Sequence, residues 1–264
     1  MERRLFLRSA GALAALSTVG NVSANNRDAE PSVEAINRTF QRAVVRDGPE
    51  GAEQALEKFG LEGTVEASQD FELAKDEESE DEANTQNKYG DPTETDSTLD
   101  VGVFSASDTE DEVYVTAHMI LRDSQAITRN AWWADDAIGI GFIHQDWAPV
   151  GTPSVTATTD HTAKFTTEDV DDDALAATVD IERQGWEYPD NLPDSSVSLS
   201  GKFRLRSGGI PSTMWGSYAH TIAWEPDGAI EGISGGTGGI EVQTKAGTST
   251  AWSIAHPVDP EEEL

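Results

Sequence analysis

Two constellations in this chain could do chemistry. The first is Gly232-Ile233-Ser234-Gly235-Gly236, which spells G-x-S-x-G. In that motif a sharp turn between a strand and a helix exposes the Ser hydroxyl to a base, while backbone N–H groups hold the oxyanion. His256 lies downstream and could act as the base, so a secreted hydrolase is one reading. Against it, Gly238-Gly239 and the strand-like Ile240-Glu241-Val242 follow, with no helix between. A glycine-rich hairpin between two strands explains the same residues. The second constellation brackets a short apolar run, Ile138-Gly139-Ile140-Gly141-Phe142. Trp132-Trp133-Ala134-Asp135-Asp136 leads into it and His144-Gln145-Asp146-Trp147 leaves it. Exposed Trp rings stack on sugar faces while carboxylates accept from hydroxyls. That makes Trp132, Trp133, Asp135, Asp136, His144, Asp146 and Trp147 the candidate ligand-binding residues. The competing reading is that these Trp side chains fill the core and its rim, because Trp favours strands and one face of this strand must be buried.

Other chemistries find less support. The chain has no Cys, which removes disulfides, thiolate metal sites and Cys nucleophiles. Its five His (118, 144, 161, 220 and 256) form no closely spaced pair of the zinc type. His118 and His220 fall within strand patterns, where an imidazole hydrogen-bonded at a sheet surface is the ordinary outcome. No cofactor is expected. A calcium ion or other cation held by Asp171-Asp172-Asp173 or Asp135-Asp136 is the alternative to plain solvated carboxylates. Glycosidase chemistry needs two carboxylates at a set separation, and among 49 acidic residues no pair singles itself out.

The elements that must position these residues are mostly strands. Leu99, Val101 and Val103 alternate with polar positions, as do Val113, Val115, Ala117, Met119 and Leu121. Further strands are expected at 155–159, 175–182, 197–206, 214–224, 230–233, 240–244 and 251–254. About ten short strands broken by Gly, Pro, Asn or Asp indicate an antiparallel β-sandwich over residues 98–258. Ahead of it, Val33, Ile36, Phe40 and Val44 recur at helical spacing. Asp47-Gly48-Pro49 breaks that run, and a second short helix carries Ala52, Ala55, Leu56 and Phe59 to Gly60. Two short helices are therefore expected within 25–62; Asn37-Arg38-Thr39 there fits a glycosylation acceptor, a triplet common by chance. Residues 63–97 contain Lys75-Asp76-Glu77-Glu78-Ser79-Glu80-Asp81-Glu82 and are expected to be an acidic linker. Residues 259–264 form an acidic tail.

The first 24 residues read as an export signal. Arg3-Arg4-Leu5-Phe6-Leu7-Arg8 precedes a short Ala-, Leu- and Gly-rich stretch, then Val22-Ser23-Ala24. A basic pair, a short apolar region and a small-x-small cleavage site make a twin-arginine signal, with Arg3, Arg4, Phe6 and Leu7 at its core and cleavage after Ala24. Its partner is the twin-arginine translocase. The apolar part is too short for a stable membrane span, and no second one follows. Lys and Arg total 18 against 49 Asp and Glu, a formal charge of −31. Nucleic acid, which is bound by neutralising phosphates, is excluded as a partner. Such a charge repels itself in dilute buffer, but in molar salt the Debye length falls to about 3 Å and the repulsion nearly vanishes. Seven Trp, eight Phe and four Tyr are too many for a disordered acidic chain. The chain reads as a secreted protein adapted to brine.

The strand Leu99-Asp100-Val101-Gly102-Val103-Phe104, with Tyr114-Val115-Thr116-Ala117, Asp135 to Phe142, Tyr218 to Trp224 and Trp252-Ser253-Ile254, resembles small secreted β proteins of haloarchaea and Gram-positive bacteria. The resemblance spans residues 98–256. Some of these proteins accompany bacteriocins and halocins, so it implies an immunity-like role in sequestering a secreted peptide. No Cys-rich toxin tail is present here, and no catalytic residue comes with the resemblance. The expectation is an exported, salt-adapted, non-catalytic β-sandwich protein that binds a surface or extracellular ligand such as glycan. Sequestration of a secreted peptide and hydrolysis are the alternatives.

Overall fold

The structure, a computed structural model, describes residues 30–73, 97–106, 111–121, 135–157, 162–166, 170–180, 195–223, 230–245 and 248–263. The export signal with Arg3, Arg4, Phe6, Leu7 and Ala24 lies outside these residues, as do Trp132, Trp133 and His161. The described chain is mainly antiparallel β. Helix α1 (Val33–Glu57) is followed by β1 (Leu61–Ser68), β2 (Phe71–Leu73), β3 (Thr98–Ala106), β4 (Glu112–Leu121) and β5 (Asp136–Gly141). Then come β6 (Trp147–Ala157), β7 (Thr162–Thr166), β8 (Ala174–Asp180), β9 (Ser195–Leu205) and β10 (Met214–Ala223). A hairpin of β11 (Ile230–Gly236) and β12 (Gly239–Thr244) precedes β13 (Thr248–Val258). The first sheet has the order β1-β3-β4-β9-β6 and the second β2-β13-β10-β5-β8-β7. Side chains from both sheets form one apolar cluster, including Val101, Val115 and Leu199 from the first and Ile138, Val179 and Ile254 from the second. The period of two in the strand sequences sends these residues to the inner faces. Gly216 on β10 also faces inward, where an added Cβ would collide with Val101, so the absent side chain lets the sheets approach.

The outward faces of the central strands are buried as well. In the first sheet, Asp100, Phe104, Tyr114, Thr116, His118 and Ser198 alternate with the inward residues and lie beneath α1 or at its margin. The two helical stretches expected before and after Asp47-Gly48-Pro49 run as one element, α1, in which Gly48 (φ 74°, ψ −171°) breaks the helical backbone between them. Ser32 caps it, its hydroxyl accepting from the Ala35 N–H at 3.2 Å. The acceptor-like triplet at Asn37 is not a usable glycosylation site. That side chain is fully buried and donates to the Ser154 carbonyl (2.9 Å), so no glycan fits there in the folded chain. At the far end of this face, burial pushes the Glu112 carboxyl up. Hydrogen bonds from Lys202 and Arg204 outweigh burial and hold the carboxyl below its ordinary value.

In the second sheet the outward face is covered by the β11–β12 hairpin, which packs Ile233 and Ile240 over Ala137 and Ala176. The alternation Ile138-Gly139-Ile140-Gly141 thereby acquires a reason. The isoleucines fill the space between the sheets, and the glycines leave room for the hairpin. A Cβ on Gly139 would lie 2.5 Å from Ile240 Cγ2. Gly139→Ala is expected to destabilise by about 1–3 kcal/mol through this overpacking. Denaturant titration in molar salt measures it, and Ile240→Ala in the same chain should recover part of the loss.

Residues 63–73 are not linker. Leu61–Ser68 pairs along its length with β3, and Phe71–Leu73 pairs with β13. An edge strand draws its stability from backbone pairing and needs few apolar anchors. Leu61 and Val65 are buried here while Glu62 and Glu66 face solvent, which gives the segment an acidic composition. Strand β6 begins at Trp147, earlier than expected, and passes through Pro149 and Pro153. Both are tolerated because β6 is an edge strand with a register break between Val150 and Ser154, where Gly151 has φ 73°. No helix among the described residues is long and apolar enough to cross a membrane.

Candidate functional site

The two Trp–Asp clusters flanking β5 meet different fates. At the end of β5 the chain turns: the Asp146 and Trp147 N–H groups donate to the Ile143 carbonyl at 3.0 and 2.9 Å. His144 is held from two sides by one carboxylate. Its backbone N–H and its ring Nδ1 each lie 2.7 Å from Asp173 Oδ1. With Asp173 ionised, Nδ1–H is the donor, which leaves Nε2 to accept from the Gln145 amide at 3.0 Å. The His144 side chain is 40% exposed and Asp173 31%. The imidazole is thus fixed in tautomer and direction yet open to solvent.

Neighbouring loops are tied in by the same device of carboxylate to backbone N–H. Asp146 Oδ1 accepts from the Ile210 N–H (3.1 Å), and the Asp146 carbonyl accepts from the Arg206 N–H (2.7 Å). Asp171 Oδ1 accepts from Asp173 N–H and Gly235 N–H, both at 3.0 Å. Ile210, 67% exposed, gives this end an apolar point. The β5–β6, β9–β10 and pre-β8 loops and the end of β11 therefore form one hydrogen-bonded rim.

Trp147 does not belong to that rim. It is fully buried in the core between the sheets, and its indole N–H donates to the Ser212 carbonyl at 2.9 Å. A ring in that position offers no face to a sugar, so its place among the ligand-binding residues is corrected to core.

In the other cluster Asp135 is half-buried and Asp136 is interior. Asp136 is fully buried and accepts from the Tyr218 hydroxyl (2.5 Å), the Thr221 N–H (3.0 Å) and His220 Nδ1 (3.0 Å). The Asp135 carbonyl accepts from the Thr221 hydroxyl at 2.7 Å. Trp252 stacks on His220 and Tyr218, with ring centroids 5.1 and 5.7 Å apart, and Phe71 meets it edge-on. Burial first, then the Asp136 charge, raises the Tyr218 hydroxyl well above the usual tyrosine range. Asp136 is therefore a structural acceptor, not a sugar ligand. His220 and His118 lie inside the protein and not at a sheet surface.

The remaining motifs resolve as follows. Ser234 pairs with Glu241 inside the β11–β12 hairpin, and the turn at Gly236 to Gly239 sends the chain back as a strand. No helix N-terminus stands behind it to hold an oxyanion. His256 Nε2 instead lies 2.7 Å from Glu66 Oε2. Oδ1 of Asp171 and Oδ1 of Asp173 already accept from the protein's own N–H groups. Among the described residues no group of three or more His, Asp or Glu side chains is placed to hold a metal ion. The sequence reading missed Asp173 as the partner of His144, and it missed Tyr218 and His220 as partners of Asp136. Nothing local signals these contacts, which join residues 29 to 84 positions apart.

Fold and rim together define a mainly antiparallel protein of two large sheets and a small covering hairpin, with a polar loop cluster at one end. No protein-family model matches the chain, and no curated protein matches it. Among solved structures it is similar to the C-terminal domain of the Streptococcus pyogenes antigen I/II-family protein AspA. Identity there is 6%, covering 76% of this chain and 80% of that one, with a TM-score of 0.30. A second similar structure comes from work on pH-induced modulation of Streptococcus parasanguinis adhesion by Fap1 fimbriae (11% identity, 61% and 80% covered, TM-score 0.29). A third is the KRT10-binding region domain of the pneumococcal serine rich repeat protein PsrP (8% identity, 60% and 87% covered, TM-score 0.26). TM-scores this far below 0.5 do not establish a shared fold.

Proposed function

We propose that this chain is an exported, non-catalytic β-sandwich protein that binds an extracellular glycan through the rim carrying His144. The observation that supports this most is the double grip of Asp173 on His144. It presents a preorganised imidazole at the surface, among loops fixed by their own hydrogen bonds. Preorganisation lowers the entropy lost when a ligand is bound. A hydroxyl-rich ligand suits a rim of imidazole and amide groups. His144→Ala and Asp173→Asn should each weaken retention on a polysaccharide column in molar salt by about tenfold, the loss of a hydrogen bond to a positioned polar group. The melting temperature should stay close to that of the parent. Parent-like retention in both variants would eliminate the rim as the binding surface.

Export by the twin-arginine route and life in brine are part of the same proposal. They are supported by Arg3-Arg4 at the start of the chain and by the charge of −31. With 12 Arg and only 6 Lys to offset that charge, desalting restores its self-repulsion. The melting temperature is expected to fall as the protein is dialysed from molar to millimolar salt. A rise on desalting would contradict the adaptation.

A further inference from the structure

Two tight turns lock together at the rim. The turn from Ile143 to Trp147 carries His144, and the turn after β9 runs from Arg206 to Gly209. Within the second, the Gly209 N–H donates to the Arg206 carbonyl at 2.8 Å, and Gly208 has φ 84°. Between the two, the Arg206 N–H donates to the Asp146 carbonyl at 2.7 Å. A Cβ on Gly209 would lie 2.8 Å from that same carbonyl oxygen, so glycine lets the turns touch. The Arg206 backbone is thereby fixed against the turn that presents His144.

The Arg206 side chain is exposed but not loose. Its Nε–H donates to the Trp147 carbonyl at 3.2 Å, and no carboxylate among the described residues pairs with it. Arg38, Arg46 and Arg204 instead each take a carboxylate, from Glu34, Asp47 and Glu112. Arg42 is also unpaired, but no hydrogen bond fixes its side chain on α1. Among the described arginines, Arg206 alone is both anchored and without a carboxylate, in a chain of formal charge −31. With Nε engaged, its two Nη groups remain as a fork. That geometry takes both oxygens of a carboxylate end-on.

We propose that Arg206 makes the His144 rim selective for acidic glycans, its two Nη groups taking the carboxylate of a uronic acid residue. This rests on the reading of the rim as a glycan site and names the class of glycan. His144 and the Gln145 amide set upon it serve the hydroxyls, and the exposed Ile210 beside Gly209 offers an apolar contact to a sugar ring. Asp146, Asp171, Asp172 and Asp173 do not bar an anionic ligand in brine. At molar salt the Debye length is about 3 Å, so charges that are not in contact are screened, while a guanidinium and carboxylate in contact keep their hydrogen bonds.

Retention in molar salt on immobilised polygalacturonate, and on the same polymer fully methyl-esterified, tests it. The two polymers differ at the carboxyl group alone. The parent is expected to be retained on the acid form about tenfold more strongly, the scale of a hydrogen-bonded contact to a charged group. Arg206→Gln should lose that preference. Arg206→Lys, which keeps the charge but not the fork, should show a part of it. Equal retention of the parent on both forms overturns the proposal, as does a full preference in Arg206→Gln at a parent-like melting temperature. Should Arg206→Gln fail to fold, Arg206→Lys decides, and a full parent preference there overturns it. His144→Ala separates the two readings: if it weakens retention on both forms while the parent shows no preference, the rim stands as a glycan site and the acid selectivity falls. Retention of the parent on neither form overturns both. Equal retention on immobilised polyglutamate would make Arg206 a trap for any carboxylate, and the glycan selectivity would fall with it.

Discussion

Asp136→Ala is expected to lower stability by about 3–5 kcal/mol, the size of effect seen when one partner of a buried charged network is removed. The carboxylate is fully buried and satisfies the Tyr218 hydroxyl, the Thr221 N–H and His220 Nδ1 together. Removing it strands all three in the space between the sheets, where an unpaired polar group costs about 1–3 kcal/mol. Domains of this kind are stable by only about 5–15 kcal/mol, so the variant should approach the unfolding threshold in dilute buffer. Denaturant titration in molar salt reads the loss. A change below about 0.5 kcal/mol, the range for exposed positions, would mean that Asp136 faces solvent after all. The same network carries a pH consequence. Tyr218 ionises above the tyrosine range when folded and within it when unfolded. Its contribution is complete below pH about 10 and is lost as the pH rises further, so alkaline unfolding should accompany its ionisation.

Trp147→Ala should cost a similar amount, about 3–5 kcal/mol, as for a large aromatic removed from a packed core. Trp147 is fully buried among both sheets, and its indole N–H serves the Ser212 carbonyl. For a domain of this length the loss corresponds to a fall of about 10 °C in Tm. Trp147→Phe keeps most of the ring volume and should lose less. If Trp147→Ala instead kept its Tm while losing retention on a polysaccharide column, the ring would be a binding platform and its core placement wrong. The contrast with His144→Ala separates packing from recognition: one variant melts early, and the other melts normally and binds poorly.

The strands of the two sheets were legible because alternation is a local property. Val113, Val115, Ala117, Met119 and Leu121 announce one apolar face whatever the partner strand proves to be. The break at Asp47-Gly48-Pro49 was legible for the same reason, since φ 74° at Gly48 is a conformation few other residues adopt. Segment β1 was not legible, because an edge strand is held by backbone hydrogen bonds to β3 that leave no side-chain record.

Of the site, the clusters flanking β5 nominated Trp132, Trp133, Asp135, Asp136, His144, Asp146 and Trp147 together. Tertiary structure divided them, leaving His144 and Asp146 on the rim and taking Trp147 and Asp136 inside. The sequence by itself determined an acidic, Cys-free, mainly β chain with apolar faces of period two and a helical segment ahead of them. Only the tertiary structure decided that the outward faces of β3, β4 and β9, with Phe104, Tyr114 and Ile120 among their serines and threonine, would lie under α1, and that the glycines of β5 would lie under a hairpin. The physical reason is that a periodic pattern states which residues share a face. What covers that face depends on contacts between segments far apart in the chain, and no short stretch of sequence encodes them.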